Sequence, residues 1–215
     1  LFGSARTARP RQWGSVRVSA QTPVVTYAII GVCVALWVGD ILTKGMITQY
    51  LGFTPIHGLY QPWRILTTAF LHVNLMHIAF NMVSLYAVGR ALEPALGRGP
   101  YFCLYLLSAL GGTLGVLGWV LIDPSSALTV TVGASGAIFG LFGSVFVLQR
   151  AAGIDVRAVA GLLAVNLLYG FIVSGVSWQA HLGGLLFGIL ATWGMLALGK
   201  PRSGMTAKKQ RRRLY

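Results

Sequence analysis

Charged residues are scarce in this chain of 215 residues. Only 10% of the residues are charged, and just four are Asp or Glu. Because a soluble domain carries about 25% charged residues, this composition excludes an ordinary water-soluble fold. Hydrophobic residues make up 55% of the chain, and the mean hydropathy is +0.71. The apolar residues form repeated runs of about 20, long enough to cross a bilayer, so the sequence predicts a polytopic helical membrane protein.

Cysteine is equally scarce. Cys33 and Cys103 are the two cysteines, and each lies in or beside an apolar run. They form neither a disulfide framework nor a zinc-binding pattern, and we expect both to behave as small buried side chains. The sequence therefore predicts no metal ion and no cofactor.

Basic residues outnumber acidic ones, and the formal net charge is +13. Many of them lie in two flanking clusters, one before the first apolar run and one after the last. Such clusters are typical of cytoplasmic ends that contact anionic lipid, so membrane lipid rather than nucleic acid is the expected partner. We divide the chain into a basic N-terminal tail (1–20), a membrane domain (21–200) and a basic C-terminal tail (201–215).

The predicted fold class is an all-α bundle of six transmembrane helices. The spans cover about residues 24–42, 68–88, 101–122, 135–148, 156–173 and 178–198. An aromatic-rich connection, residues 43–67, suits the membrane interface. With both termini cytoplasmic, Lys44 and Arg64 are the only two of the 17 Lys and Arg residues on the outer side, which is a strong positive-inside signal. Glu93 is expected to pair with nearby Arg90 on the cytoplasmic side.

A glycine-rich stretch, residues 133–140, holds one serine where irregular backbone is expected to become helix. Residues 128–132 are uncharged and β-branched in part, which indicates extended or irregular backbone. Ser135 would then lie at a helix N-terminus, where free N–H groups and the helix dipole stabilise an alkoxide or oxyanion. As helix, the segment from Ser135 to Gln149 is about 22 Å long, which puts Ser135 about 8 Å below the outer surface of a hydrocarbon layer about 30 Å thick. Ser and Gly are also ordinary packing residues of membrane helices, so this stretch alone defines no site.

Polar side chains from two other spans are predicted at the same depth. His77 and Asn81 lie four residues apart on one face of the second span, and His181 lies near the start of the sixth. A neutral histidine is the usual base for a serine nucleophile, and G-x-x-x-G faces on the fourth and sixth spans allow close approach. Because no carboxylate lies at this level, a Ser-His dyad is favoured over a triad. His77 and Asn81 are able to donate hydrogen bonds to a developing oxyanion.

Two further residues near this cluster have different expected roles. Phe139 lies one turn after Ser135 on the same helix face and is expected to stack on the His181 ring. His72 lies five residues before His77 and on a different helix face, so a structural role is expected for it.

Together these residues resemble the rhomboid family of intramembrane serine proteases. The matching motifs are Trp63-Arg64, His77-x-x-x-Asn81, Gly89-x-x-x-Glu93-x-x-x-Gly97, Gly133-Ala134-Ser135-Gly136 and His181-Leu182-Gly183-Gly184. The resemblance implies the basic six-helix form of bacterial type, in a bacterial cell membrane. The resemblance implies that Ser135 is the nucleophile, that His181 is the general base, and that His77 and Asn81 are the oxyanion-hole side chains. Phe139, Gly133 and Gly136 are the expected supporting positions. One departure is Phe139, where some bacterial members have Tyr.

The implied activity is hydrolysis of peptide bonds in or near the outer end of substrate transmembrane helices; the oligomeric state is left open. A non-catalytic rhomboid-like protein would lack Ser or His at the key positions, whereas both are present. A transporter with a histidine proton relay would need polar residues along a whole path, but the inner halves of the spans are almost entirely apolar. Zinc and aspartyl intramembrane proteases are disfavoured, because H-E-x-x-H is missing and the aspartates lie at span ends.

Overall fold

The computed structural model describes residues 22–173 and 175–199. The expected basic tails, residues 1–20 and 201–215, lie outside the described residues, so the division of the chain stays a prediction. Within the described ranges the chain is helical, without strands, and has one isolated antiparallel bridge between Phe53 and Thr131.

The described part of the chain contains nine α-helices, of which four are long and apolar and two are apolar but shorter. In chain order the α-helices are α1 (Val24–Leu42), α2 (Met46–Leu51), α3 (Pro55–Gly58), α4 (Arg64–Thr67), α5 (Leu75–Leu96), α6 (Arg98–Trp119), α7 (Ser135–Ala151), α8 (Arg157–Ile172) and α9 (Trp178–Gly199). Of these, α1, α5, α6 and α9 are long and apolar enough to cross a membrane. Helices α7 and α8 have 17 and 16 residues, about 25 Å each. The described residues thus contain four candidate spans by length, and the expected count of six stays a prediction.

The connection between α1 and α5 is folded rather than extended. The Arg64 side chain is buried and donates hydrogen bonds to the carbonyls of Gln49 at 2.8 Å and Gly52 at 2.6 Å. Arg64 also donates to the side chain of Gln61 at 2.5 Å. A buried guanidinium is stable only when its donors are paired, and these bonds tie α4 to α2 and to the turns at residues 52 and 61.

The start of α5 differs from the sequence prediction. Residues Thr68–Phe70 form a 3-10 helix and Leu71 is extended, whereas the second span was expected to begin near residue 68. The Asn74 side chain accepts a hydrogen bond from the His77 N–H at 2.8 Å, which is how asparagine caps a helix N-terminus. The predicted boundaries of this span are therefore wrong, because the cap sets the start at Leu75 and the helix runs on to Leu96.

Glu93 does not pair with Arg90, so that prediction is also wrong. The buried Glu93 carboxylate accepts hydrogen bonds from the N–H groups of Val25 at 2.9 Å and Thr26 at 2.8 Å, and from the Thr26 hydroxyl at 2.8 Å. Arg90 is exposed, with its Cζ 5.8 Å from the centre of the Tyr86 ring. The first turn of α1 has N–H groups without intrahelical partners, and these satisfy the carboxylate instead.

Helices α6, α7 and α9 form the centre of the bundle, where α9 packs against both of the others. Glycines allow this approach: Gly184 of α9 lies against Gly136 of α7, and Gly188 lies against Gly140. A Cβ added to Gly184 or Gly188 would collide with the facing backbone carbonyl, so only glycine permits this packing. Helix α1 packs on α5, and α8 contacts α7 and α9 at the periphery.

Candidate active site

Ser135 is the first residue of α7 and is half-buried. The irregular backbone before it is held by the connection between α1 and α5. Thr131 and Phe53 exchange backbone hydrogen bonds of 2.7 and 3.2 Å, and the Gly133 N–H donates to the Thr68 carbonyl at 3.0 Å. These contacts give the irregular backbone partners within the protein and set the position of Ser135.

The Ser135 hydroxyl meets the His181 ring across α7 and α9. Ser135 Oγ lies 2.9 Å from His181 Nε2, which is hydrogen-bond distance. His181 is in the first turn of α9 and only 7% exposed. Its Nδ1 has no hydrogen-bond partner among the described residues. Among the described residues the arrangement is therefore a pair, without a third group bonded to the imidazole.

The Phe139 ring stacks on the His181 ring, as the spacing along α7 predicted. The ring centres are 4.2 Å apart and the planes differ by 12°. The stack restricts rotation of the imidazole, and thereby helps to keep Nε2 directed at Ser135.

The glycine contacts between α7 and α9 lie directly beside this pair. Gly136 follows Ser135, and Gly184 lies one turn after His181. A Cβ at Gly136 would lie 3.1 Å from the Ala180 carbonyl oxygen, so the backbones are nearly in contact. This approach is what brings two side chains 46 residues apart in sequence within hydrogen-bond distance.

His77 and Asn81 lie four residues apart on one face of α5, and the His77 ring borders Ser135. The Asn81 amide donates to the His77 carbonyl at 2.9 Å. A Cβ built on Gly133 would lie 2.8 Å from His77 Nε2 and 3.6 Å from Ser135 Oγ. His77 Nε2 and Ser135 Oγ thus both border the small space beside the Gly133 Cα. Gly133 has φ +135°, a conformation that favours glycine.

His72, expected to be structural, also lies at this cluster. It is 2% exposed, and its ring centre is 5.0 Å from that of His77 with an angle of 62° between the planes. The sequence argument placed His72 on a helix, but the residue precedes α5, so a helix-face argument does not apply to it.

Thr68 is a site-supporting residue that the sequence reasoning missed. Its hydroxyl donates to the Thr131 carbonyl, and its own carbonyl accepts from the Gly133 N–H. Because Thr131 lies 63 residues away along the chain, no local pattern distinguishes Thr68 from the other threonines.

The sequence model of the rhomboid domain family matches residues 59–198. The chain is 34% identical to rhomboid protease GluP of Bacillus subtilis (strain 168) over 155 residues, which are 68% of this chain and 28% of GluP. It is 35% identical to YdcA of the same organism over 184 residues, 80% of this chain and 87% of YdcA. It is also 29% identical to rhomboid protease AarA of Providencia stuartii over 152 residues, 60% of this chain and 54% of AarA. The chain thus spans less than two thirds of GluP and of AarA.

Proposed function

The chain belongs to the rhomboid family, and from that premise we propose that it is an intramembrane serine protease. The relatives GluP and AarA carry the name rhomboid protease, which supports peptide-bond hydrolysis by a protein with apolar, membrane-crossing helices. Since the chain spans only part of those two relatives, the activity of the whole protein belongs to the proposal. Its proposed partners are membrane-spanning protein substrates and the surrounding lipid.

The observation that carries the proposal is the 2.9 Å contact between Ser135 Oγ and His181 Nε2. We propose Ser135 as the nucleophile and His181 as its base. As Oγ attacks the scissile carbonyl carbon, His181 takes the hydroxyl proton and then gives it to the leaving amine, which leaves an acyl-enzyme ester. His181 next takes a proton from water, the hydroxide attacks the ester, and the acid product departs as Ser135 regains its proton.

The tetrahedral intermediate carries an oxyanion that needs hydrogen-bond donors. We propose that the Ser135 N–H and the side chains of His77 and Asn81 provide them. The Ser135 N–H is at the first position of α7 and has no partner within its helix. The Asn81 amide donates one hydrogen to the His77 carbonyl, and its second N–H is free to donate to the substrate oxyanion. Phe139, Gly133 and Gly136 support this arrangement through ring stacking and close backbone approach.

We further propose six membrane spans, formed by the four long helices together with α7 and α8, in a bacterial cell membrane with both termini cytoplasmic. In that orientation Ser135 lies about 8 Å below the outer surface. A substrate helix must unwind before its carbonyl can be attacked, and each freed N–H or C=O group costs several kcal/mol in hydrocarbon. Because this cost is lower near the interface, the cut falls near the outer end of the substrate helix.

The test uses a purified transmembrane substrate, a fluorophosphonate probe and mass spectrometry of the products. Wild-type protein should bind the probe and cut in the outer third of the substrate helix, whereas Ser135→Ala and His181→Ala should do neither. Ser144→Ala is the matched control, since Ser144 is a buried serine of the same helix with no hydrogen-bond partner among the described residues. The double variant should lose no more activity than either single one, because the pair acts as a unit. Cleavage by Ser135→Ala near the wild-type rate would exclude the proposed nucleophile.

A further inference from the structure

The His77 ring is not held by a hydrogen bond in the part of the chain that the structure describes. Its Nδ1 is buried without a partner there, and its backbone N–H is already bound to the Asn74 cap. A functional imidazole is usually oriented by a hydrogen bond to its second nitrogen. Some other contact must therefore determine the direction in which His77 Nε2 points.

The ring of His72 provides such a contact. The two rings meet edge to face, with centres 5.0 Å apart and planes at 62°, which is a preferred arrangement of ring pairs. Both nitrogens of His72 are buried without partners among the described residues. The Phe70 backbone is a polar neighbour of this ring, and the packing on His77 is the contact that links the His72 side chain to the site.

The direction of the His77 ring matters because Nε2 borders the space beside Gly133 and Ser135. A Cβ on Gly133 would lie 2.8 Å from Nε2 and 2.9 Å from Cε1 of His77. Donors act on an oxyanion only within about 2.7–3.1 Å, so a modest rotation of this ring removes the hydrogen bond.

The segment that carries His72 also anchors the other side of this space. The Thr68 carbonyl accepts from the Gly133 N–H at 3.0 Å, and His72 follows four residues later. Residues 68–72 therefore contact both Gly133, through the Thr68 carbonyl, and the His77 ring, through His72. One short segment thus positions two groups that border the same space.

We propose that His72 is a positioning residue whose ring packs edge to face on His77 and keeps His77 Nε2 directed at the space between Gly133 and Ser135. The inference rests on the proposed oxyanion-hole role of His77. His72 itself touches no reacting atom in this scheme.

The test compares two substitutions of His72 by large apolar side chains, one with an aromatic ring and one without. We expect His72→Phe to keep kcat within about threefold of wild type, and His72→Leu to lower kcat about tenfold at unchanged KM, which is less than the roughly 10²–10³-fold loss for a dominant oxyanion-hole donor. If the leucine variant does not fold, His72→Met repeats the comparison with an unbranched side chain. His57→Leu is the matched control, since His57 is exposed and its ring bonds the Thr54 hydroxyl at 2.6 Å rather than a residue of the proposed site, so kcat should stay near the wild-type value.

A double-mutant cycle separates positioning from a general structural role. In a His77→Ala background, His72→Leu should cause no further loss of kcat, because its effect passes through the missing ring. An equal loss in both backgrounds, a wild-type kcat for His72→Leu, or an equal loss in His72→Phe would overturn the proposal. Wild-type cleavage by Ser135→Ala would instead contradict the proposed function itself. An unchanged kcat in His77→Ala would contradict the oxyanion-hole role of His77 on which this inference rests.

Discussion

At the scale of the residue, Asn81 allows a kinetic test of the proposed oxyanion hole. Its buried amide uses one hydrogen on the His77 carbonyl, and an oxyanion exists only along the reaction path. We expect Asn81→Ala to lower kcat about tenfold, which is less than the 10²–10³-fold loss of a dominant donor, while KM stays nearly constant. Steady-state cleavage of a transmembrane substrate in detergent measures both constants.

Asn166→Ala is the matched control for this substitution. Asn166 on α8 makes the same kind of bond, from its amide to the Leu162 carbonyl at 2.8 Å, but is exposed. This variant should keep the wild-type kcat. A rise in KM alone for Asn81→Ala would make Asn81 a substrate contact rather than an oxyanion-hole donor.

At the scale of the element, the contact of α7 with α9 determines whether the candidate pair can form. A Cβ on Gly184 would collide with the Gly136 carbonyl, and the helices must separate to relieve the clash. We expect Gly184→Ala to lower the free energy of unfolding by about 1–3 kcal/mol, as overpacking does. Cleavage should fall as well, because Ser135 and His181 move apart with their helices.

Gly194→Ala provides the comparison on the same helix, since a Cβ at Gly194 meets no atom within 4 Å. Unfolding in detergent, followed by circular dichroism, measures stability for both variants. Equal stability and equal activity of the two would show that close packing of α7 on α9 is not what brings the site together.

At the scale of the whole molecule, the distribution of basic residues predicts the orientation in the membrane. The proposed topology has the connection between α1 and α5 outside and the turn between α5 and α6 inside. In a variant with Cys33 and Cys103 replaced, a membrane-impermeant thiol reagent added outside should label Lys44→Cys and not Arg98→Cys. Both positions are exposed, so accessibility within the protein does not limit the reaction. Labelling of Arg98→Cys alone would reverse the topology.

Several properties followed from the sequence alone because their causes are local. The length of the apolar runs predicted membrane-crossing helices, and four helices of the described residues have that character. The motifs around His77, Ser135 and His181 resemble those of the rhomboid family, and the match over residues 59–198 confirms that family. Phe139 was correctly expected to stack on His181, because residues one turn apart share a helix face. The catalytic roles of these residues stay predictions until the variants are measured.

Other features were decided only by the tertiary structure, because they depend on segments that are distant in sequence. Glu93 was assigned to its neighbour Arg90, yet it binds Thr26, which lies 67 residues away. A carboxylate takes the best donors within reach in space, and in the fold these are the free N–H groups at the start of α1. Thr68 likewise holds Thr131 across 63 residues. His72 precedes α5, in a segment where Leu71 is extended, and its ring packs on His77. The sequence prediction had placed His72 on the same helix as His77 but on a different face.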